Sequence, residues 1–493
     1  MDVLFSSFGI LARWDVLVAL LIGSIGGVII GAIPGVGAAV AIAILLPATF
    51  IFDPIVGLTA LLGIYGSSMY GGAIPAILIN TPGTAVNALT TYDGYPMTQR
   101  GEGRRALALA YSASFFGGVF AILCLILLSP LLASFAKNFG SREIFLAALL
   151  GIVLVIVAHR GQTLIAAAMA FFGIWLQTIG LALDYSKTYT FGQSWLASGV
   201  NLIVVVLGLF AISQAFVLLI DKDNSPKAEA LTGGIFQGFK ELMGHKRVVS
   251  ISASFGVIMG MIPGVGEFTA QFMSYTSARR LSKTPDQFGN GSPEGLIASE
   301  AANNAVPPAA MIPLLALGIP GEALTAMMLS VFYVHNVVPG PQLFSGQLDF
   351  VVALYIALLI LNILVFIFLL FSTNLLLKII QIPTRFLGIV ILTLSFVGVY
   401  SLRNSATDCI MAAFIGVLGY IMKRLNLPIV PIILGMVLGE IMQAKLRTSM
   451  LRVKTPFDMI DRPIAFVLFC LILIVLAGHF RRIWLDHKAK QTQ

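Results

Sequence analysis

The residues best suited to chemistry in this sequence form one pentapeptide that occurs twice, Ile33-Pro34-Gly35-Val36-Gly37 and Ile262-Pro263-Gly264-Val265-Gly266, each time inside an apolar run. Proline removes an amide donor and kinks a helix, and glycine lets the chain turn sharply and approach a ligand. A helix that restarts after such a break offers free amides and the positive end of its dipole to a carboxylate. The helix that stops there offers carbonyl oxygens to Na⁺. One copy alone reads first as a kink or a close-packing point. Two copies with polar neighbours read as a binding site.

A second pair of motifs supplies those neighbours. "AIPAILINTPGTA" at 73–85 aligns with "MIPLLALGIPGEA" at 311–323, setting Pro75 against Pro313, Pro82 against Pro320 and Gly83 against Gly321. The first stretch carries Asn80, Thr81 and Thr84 behind Ser67 and Ser68; the second carries Glu322 behind Ser299, Glu300, Asn303 and Asn304. Hydroxyl and amide groups can surround a carboxylate or a sodium ion without a full positive charge. For Asn303 and Asn304 the alternative is hydrogen bonding between helices. Glu267, directly after the second pentapeptide, is either a proton or cation site or a helix cap. Glu300 is expected near the membrane interface, as a cap or in an ion pair. Ser67, Ser68, Glu267 and Glu300 are the ion-coupling candidates, since charged groups within a membrane protein are functional by default.

The elements that must position these residues are membrane helices. The chain has 493 residues, 58% of them hydrophobic and only 11% charged, with mean hydropathy +0.96, outside the range of soluble domains. Runs such as 144–158, 163–183, 200–220, 350–371 and 464–478 approach or reach the ~20 apolar residues that cross a bilayer. The fold class is therefore an all-α polytopic membrane protein with about 11–12 transmembrane segments; the ~10-residue alternating segments of a β-barrel are missing. No basic stretch precedes the first apolar run, so the first helix is expected to stay uncleaved. Cys124, Cys409 and Cys470 lie far apart without metal-ligand spacing. The net charge of +8 comes from short basic loops and is a topology signal, not an affinity for nucleic acid. The five histidines show no HExxH spacing, and neither a Walker A sequence nor an intramembrane-protease motif occurs. The expectation is a protein that is not an enzyme and needs no cofactor.

Basic residues at 100–105, 222–247, 279–283, 378–385 and 423–424 mark cytoplasmic loops. Four spans, roughly 106–135, 143–158, 163–183 and 198–220, fit between the first two loops. The stretch 90–110 is too polar for a span and reads as a loop capping the next helix; His159 and Arg160 read as another short loop. The segment 248–278 is basic at both ends, so it enters and leaves on one side as a hairpin turning at its pentapeptide. "GGVIIGAIPGVG" at 26–37 matches "FGVIMGMIPGVG" at 255–266, and "FLAALLGIVL" near 145 matches "FLGIVILTLS" near 386 more weakly. The first hairpin opens outward and the second to the cytoplasm, which makes an inverted repeat. The expected division is a first half at 1–220, a cytoplasmic linker at 221–247, a second half at 248–445, and a final helix with a basic tail at 446–493. Mirroring the halves puts the basic segment 445–462 outside, against the charge rule; the alternative is a re-entrant 429–445.

"GxIPGVG", "YGGAIPAILINTPGTA", "TTYDGYPMTQRGEGRRALALA", the second "GMIPGVG", "SEAANNA", "LALGIPGEA", "PGPQLF" and "LPIVPIILGMVLGE" together resemble the TctA family, the large membrane subunit of bacterial tripartite tricarboxylate transporters. The likeness runs in order from about residue 20 to about 450. It implies a secondary transporter of the bacterial inner membrane that takes up citrate and other di- or tricarboxylates with Na⁺ or H⁺. It also implies a small membrane subunit (TctB-like) and a periplasmic binding protein (TctC-like) that delivers substrate. The motifs that would line the site fall on Pro34, Gly35, Val36, Gly37, Asn80, Thr81, Pro82, Gly83, Pro263, Gly264, Val265, Gly266, Asn303, Asn304, Pro320 and Gly321. Glu267 and Glu322 stand where the family favours small or hydroxyl residues, which argues against trivalent citrate or for cation coupling. The alternatives are a carrier of the same fold for another organic acid or a neutral substrate, and a scaffold or channel that transports nothing itself.

Overall fold

The computed structural model describes all residues except 1, 182–185, 222–235, 380–382, 452, 454 and 492–493. Most of the linker expected at 221–247 therefore lies outside the described residues. In chain order the helices are α1 (Asp2–Leu11), α2 (Trp14–Ala32), α3 (Gly37–Thr49), α4 (Pro54–Ile79), α5 (Thr90–Gln99), α6 (Gly103–Ala136), α7 (Ser141–Ala158) and α8 (Thr163–Thr178). Then come α9 (Leu202–Val206), a π-helical turn (Leu207–Ile212) and α10 (Ser213–Ile220), which make one continuous rod, followed by α11 (Phe236–Gly244), α12 (Lys246–Met261), α13 (Gly266–Leu281) and α14 (Pro293–Leu317). The rest are α15 (Ala323–Val334), α16 (Pro341–Gly346), α17 (Leu348–Ile379), α18 (Thr384–Arg403), α19 (Ala406–Arg424), α20 (Val430–Met450) and α21 (Pro463–Gln491). Nine of the described helices are long and apolar enough to cross a bilayer. The protein is an all-α, multi-pass membrane protein.

Local chemistry sets many of the boundaries. Pro54 and Pro293 occupy first-turn positions, where a missing amide costs nothing. Ser292, Ser405 and Asn201 cap α14, α19 and α9 by accepting from the amides of Gly295, Asp408 and Ile203. Three expectations need correction. The span expected at 163–183 ends at Thr178, because Gly180 takes φ +124° and starts a two-residue strand paired with Lys187–Thr188. The rod expected from 198 starts at Leu202, after a 3₁₀ turn at Ser194–Ser198. The stretch at 90–110 holds helix α5, buried at Thr90, Asp93, Gly94 and Met97.

The two halves correspond element by element. Helices α2 and α3 form one hairpin and α12 and α13 the other, each followed by a buried helix, α4 or α14. Glycines at four-residue spacing let the backbones close on each other. A Cβ on Gly27 would meet Ile64, and one on Gly31 would meet Ser68; one on Gly256 would meet Ala302, and one on Gly260 would meet Val306. Each pair in the first half recurs in the second. The halves also interlock: α20 packs on α7 and α8, while the α9–α10 rod packs on α18 and α19.

Polar links at the helix ends fix the relative directions. Arg13 bridges Asp53 at 2.6 Å, joining the starts of α2 and α4. His245 lies 3.5 Å from Glu294, joining the starts of α12 and α14. Arg105 pairs with Glu241, which keeps this second junction at the end where α6 begins. Arg142 and Glu143, after α6 has crossed, pair with Asp461 and Arg462. Asp461 and Arg462, at the end of the basic segment 445–462, thus lie at the end of the bundle opposite Arg105 and Glu241. The mirror relation prevails over the charge rule there.

Candidate functional site

Each pentapeptide forms the tip of its hairpin, and the two tips share one backbone conformation. Ile33 has φ −84° and ψ 117°, and Ile262 has φ −92° and ψ 115°. Gly35 and Gly264 take φ +80° and +79°, and Gly37 and Gly266 take +64° and +69°. These are left-handed values that side chains resist, so glycine is required. Helices α3 and α13 start directly behind the tips, and their N-cap residues, Val36 and Val265, make no side-chain cap.

The second motif pair is a second break, and it grips the tips. Asn80 ends α4 at φ +54°, and Gly318 ends α14 at φ +70°. The chain then doubles back, with Thr81 N donating to Pro75 O and Ile319 N to Pro313 O. This return brings Gly83 O to the amide of Gly35 at 3.0 Å, and Gly321 O to the amide of Gly264 at 2.6 Å. Pro34, Gly35, Val36, Gly37, Asn80, Thr81, Pro82 and Gly83 form one such assembly; Pro263, Gly264, Val265, Gly266, Pro320 and Gly321 form the other. Among the described residues no hydrogen bond joins the tips to each other. The halves meet through the segments just beyond the breaks: α15 packs on α3, and the 3₁₀ turn Ala85–Ala88 packs on α13.

The side chains around the two assemblies differ. Glu300 is fully buried, two turns inside α14. It accepts from Thr90 Oγ1 at 2.5 Å, Ser114 Oγ at 2.9 Å and Asn87 Nδ2 at 3.5 Å. Among the described residues the expected cap or ion pair is therefore replaced by hydroxyl and amide donors, because this part of α14 packs against α5 and α6. Asn304 joins this network through Ser114 at 2.7 Å, and Thr84 Oγ1 donates to Asn87 at 2.5 Å. Ser68 donates to the carbonyl of Tyr65 in its own helix, whereas Ser67 and both amide atoms of Asn303 are buried without a hydrogen bond among the described residues. Asn304, Tyr65 and Tyr70 border a small enclosed space with room for about one water molecule.

Near the second tip, Glu267 lies in the first turn of α13 with Oε1 buried and unpartnered, and Gln271, one turn on, has both amide atoms unpartnered. Glu322, next to Gly321, caps α15 in a reciprocal box with Thr325, and its Oε1 is likewise unpartnered. Near the first tip no acid stands at the matching places, which hold Ala38 and Thr84.

Several residues of this neighbourhood were not picked out in the sequence. Asp93 of α5 is one: its carboxylate accepts from the amides of Gly289, Gly291 and Ser292 at 2.7–2.9 Å and from Tyr275 Oη at 2.8 Å. Burial raises this carboxyl above the ordinary carboxylate range, against the lowering pull of those donors. Asn87, Thr90, Ser114, Gln214, Gln271 and Lys423 are others; each is a single polar residue in an apolar or loop stretch, and only the fold brings them to the breaks.

A protein-family model described as the tripartite tricarboxylate transporter TctA family matches residues 17–434. That interval contains both tips and both breaks. The chain belongs to the TctA family. An uncharacterized 52.8 kDa protein of Agrobacterium vitis, from the TAR-I ttuC' 3' region, is 34% identical over 436 residues, covering 88% of this chain and 87% of that protein. An uncharacterized protein of the same organism's TAR-II ttuC' 3' region is 35% identical over 196 residues, covering 40% of this chain and 81% of that protein. No solved structure matches. Within the TctA frame, the match ends early in α20, so the segment 445–462 and α21 lie beyond it.

Proposed function

We propose that this TctA-family membrane protein is the carrier of an ion-coupled uptake system for di- and tricarboxylates in the bacterial inner membrane. In this reading a periplasmic binding protein hands over the substrate, and a small TctB-like membrane subunit completes the assembly. The observation that carries the proposal is the pair of matched tips on hairpins that open to opposite ends of the bundle. Broken helices of this kind survive in a bilayer only when buried in protein or lining a polar path. Two of them, inverted, would offer equivalent anion- and cation-binding groups to a carrier whose halves rock against each other.

The chain's own groups divide the work. The uncapped amides after each tip can hold a carboxylate, and tip carbonyls with Glu267 and Glu322 can take the coupling cation or proton. The division expected at 220 and 248 would then separate the moving halves, with the interlocked α9–α10 rod and α20 tying them together.

Uptake of labelled citrate and succinate by cells carrying the complete system tests this reading. Accumulation should collapse when the Na⁺ and H⁺ gradients are dissipated, and should fall at low substrate when the binding protein is deleted. Uptake that follows ATP alone would contradict the secondary mechanism. A neutral-substrate carrier predicts no saturable citrate or succinate uptake, and a scaffold predicts that Asn303→Ala leaves its system's uptake intact.

A further inference from the structure

The first tip has a neighbour that the second lacks. Gln214 projects from α10, the second residue past the π-helical turn, and is buried at 8% exposure. A Cβ built on Gly35 would lie 3.3 Å from Gln214 Nε2, so the side-chain amide borders the tip directly. Its oxygen is held: Lys423 Nζ donates to Gln214 Oε1 at 2.8 Å and approaches the carbonyl of Phe210, inside the π turn, at 3.5 Å. Its nitrogen makes no hydrogen bond among the described residues. Lys423 makes no ion pair with an acid among the described residues, whereas its neighbour Arg424 pairs with Asp221. A buried amide is therefore oriented with its donor end beside the start of α3, and the Lys423 amine holds it from behind. At the second tip the matching space beside Gly264 is filled by Val155, and the nearby ionisable groups are acids. π-turns in α-helices concentrate at functional positions. Here the turn ends where it delivers Gln214 to the tip.

We propose that the first tip reads the anionic end of the substrate, with Gln214 donating to a substrate carboxylate alongside the first amides of α3. Lys423 is the positioning residue that fixes the orientation of the amide. The inference rests on the carboxylate-uptake reading and adds which tip holds the anion and through which side chain. A carboxylate oxygen here would accept from neutral donors at short range, with the Lys423 amine one hydrogen bond further out. Such an arrangement binds an anion without a direct ion pair that would hold it too tightly to release.

The decisive variant is Gln214→Glu, which keeps size and shape and gives Lys423 a carboxylate partner. Its thermal stability should hold or rise, while uptake of labelled citrate and succinate in the complete system, per inserted chain, should fall at least tenfold through KM. Lys423→Met should lose about tenfold, again in KM, and Lys423→Arg should restore most of it. Unchanged KM in Gln214→Glu would overturn the assignment, as would a Lys423→Met variant that loses only inserted protein and not uptake per chain. A wild-type system that takes up neither acid would overturn the parent reading with it; normal wild-type uptake beside an unaffected Gln214→Glu variant would overturn this assignment alone.

Discussion

The two hairpin tips agree in backbone and disagree in surroundings. Their dihedral angles match residue for residue, and each donates the amide of its first glycine to the glycine carbonyl of its own Pro-Gly break. Around the first tip stand Gln214 and, behind it, Lys423. Around the second stand Glu267, Gln271 and Glu322, each with an unpartnered buried atom. Repetition explains the shared backbone, because the same Pro-Gly-Val-Gly letters impose the same turn. The difference lies in single residues on helices that the turn does not determine. An anion-facing tip and a cation-facing tip can thus be made from one motif.

The largest expected effect comes from filling the tips. Gly35→Leu and Gly264→Leu should both abolish uptake, since either places a side chain at a left-handed position and in the proposed path. Stability should separate them. The left-handed conformation costs about 1–2 kcal/mol at each site. Only at Gly264 would the new Cβ also meet backbone, at 2.5 Å from Val155 Cα, adding roughly 1–3 kcal/mol of overpacking. Thermal unfolding in detergent should therefore show a clearly larger loss for Gly264→Ala than for Gly35→Ala. Equal losses would mean that the second tip is no more tightly enclosed than the first.

Next in size are the acids of the second tip. Glu267→Gln and Glu322→Gln remove charge while keeping shape. Each should reduce gradient-driven accumulation by about tenfold or more, the factor that corresponds to ~1.4 kcal/mol of lost coupling, while leaving exchange of internal for external substrate nearly intact. Loss of exchange along with accumulation would place these acids in substrate binding and erase the contrast between the tips.

The tips and breaks were legible in the sequence because proline and glycine act locally. Pro34, Gly35, Pro263, Gly264, Pro82 and Pro320 dictate their own turns, and their order in the chain exposes the repeat. The inverted directions were legible from basic loops, and only the basic segment at 445–462 ran against that signal; the ion pairs of Arg142 and Glu143 place it. The partners of Glu300 are not legible locally, because they come from the turn after α4 and from α5 and α6, a tertiary matter. Lys423 read as one more basic loop residue, next to Arg424. Nothing within two turns of it in sequence indicates that it reaches Gln214, over 200 positions away.

A smaller effect should follow from loosening the clasp between the halves. Asp93 holds three amides at the approach to α14 and a tyrosine hydroxyl from α13. Asp93→Ala strands those donors, and hydrogen bonds to a charged group are worth roughly 1.5–3 kcal/mol each before compensation by water. The variant should unfold several degrees lower, whereas Asp93→Asn, which keeps an acceptor for the amides, should lose less than half as much. Unchanged melting in both would show that the loop before α14 holds itself.

The smallest energetic effect concerns the opposite ends to which the hairpins open. Arg142 and Asp461 form a half-exposed pair, so Asp461→Asn should cost no more than about 1 kcal/mol. The value of this contact is directional. With Cys124, Cys409 and Cys470 replaced by alanine, single cysteines at Asp53, Asp461 and Asn290 should divide by side when probed with a membrane-impermeant maleimide in intact cells. The first two should label and the third should not, because Asp53 and Asp461 share one end of the bundle while Asn290 is held by Arg100 at the other. Labelling of the cysteines at Asp53 and Asn290 from the same side would mean that both hairpins open one way. The two tips would then be a tandem rather than an inverted pair, and a division of anion and cation between them would lose its geometric basis.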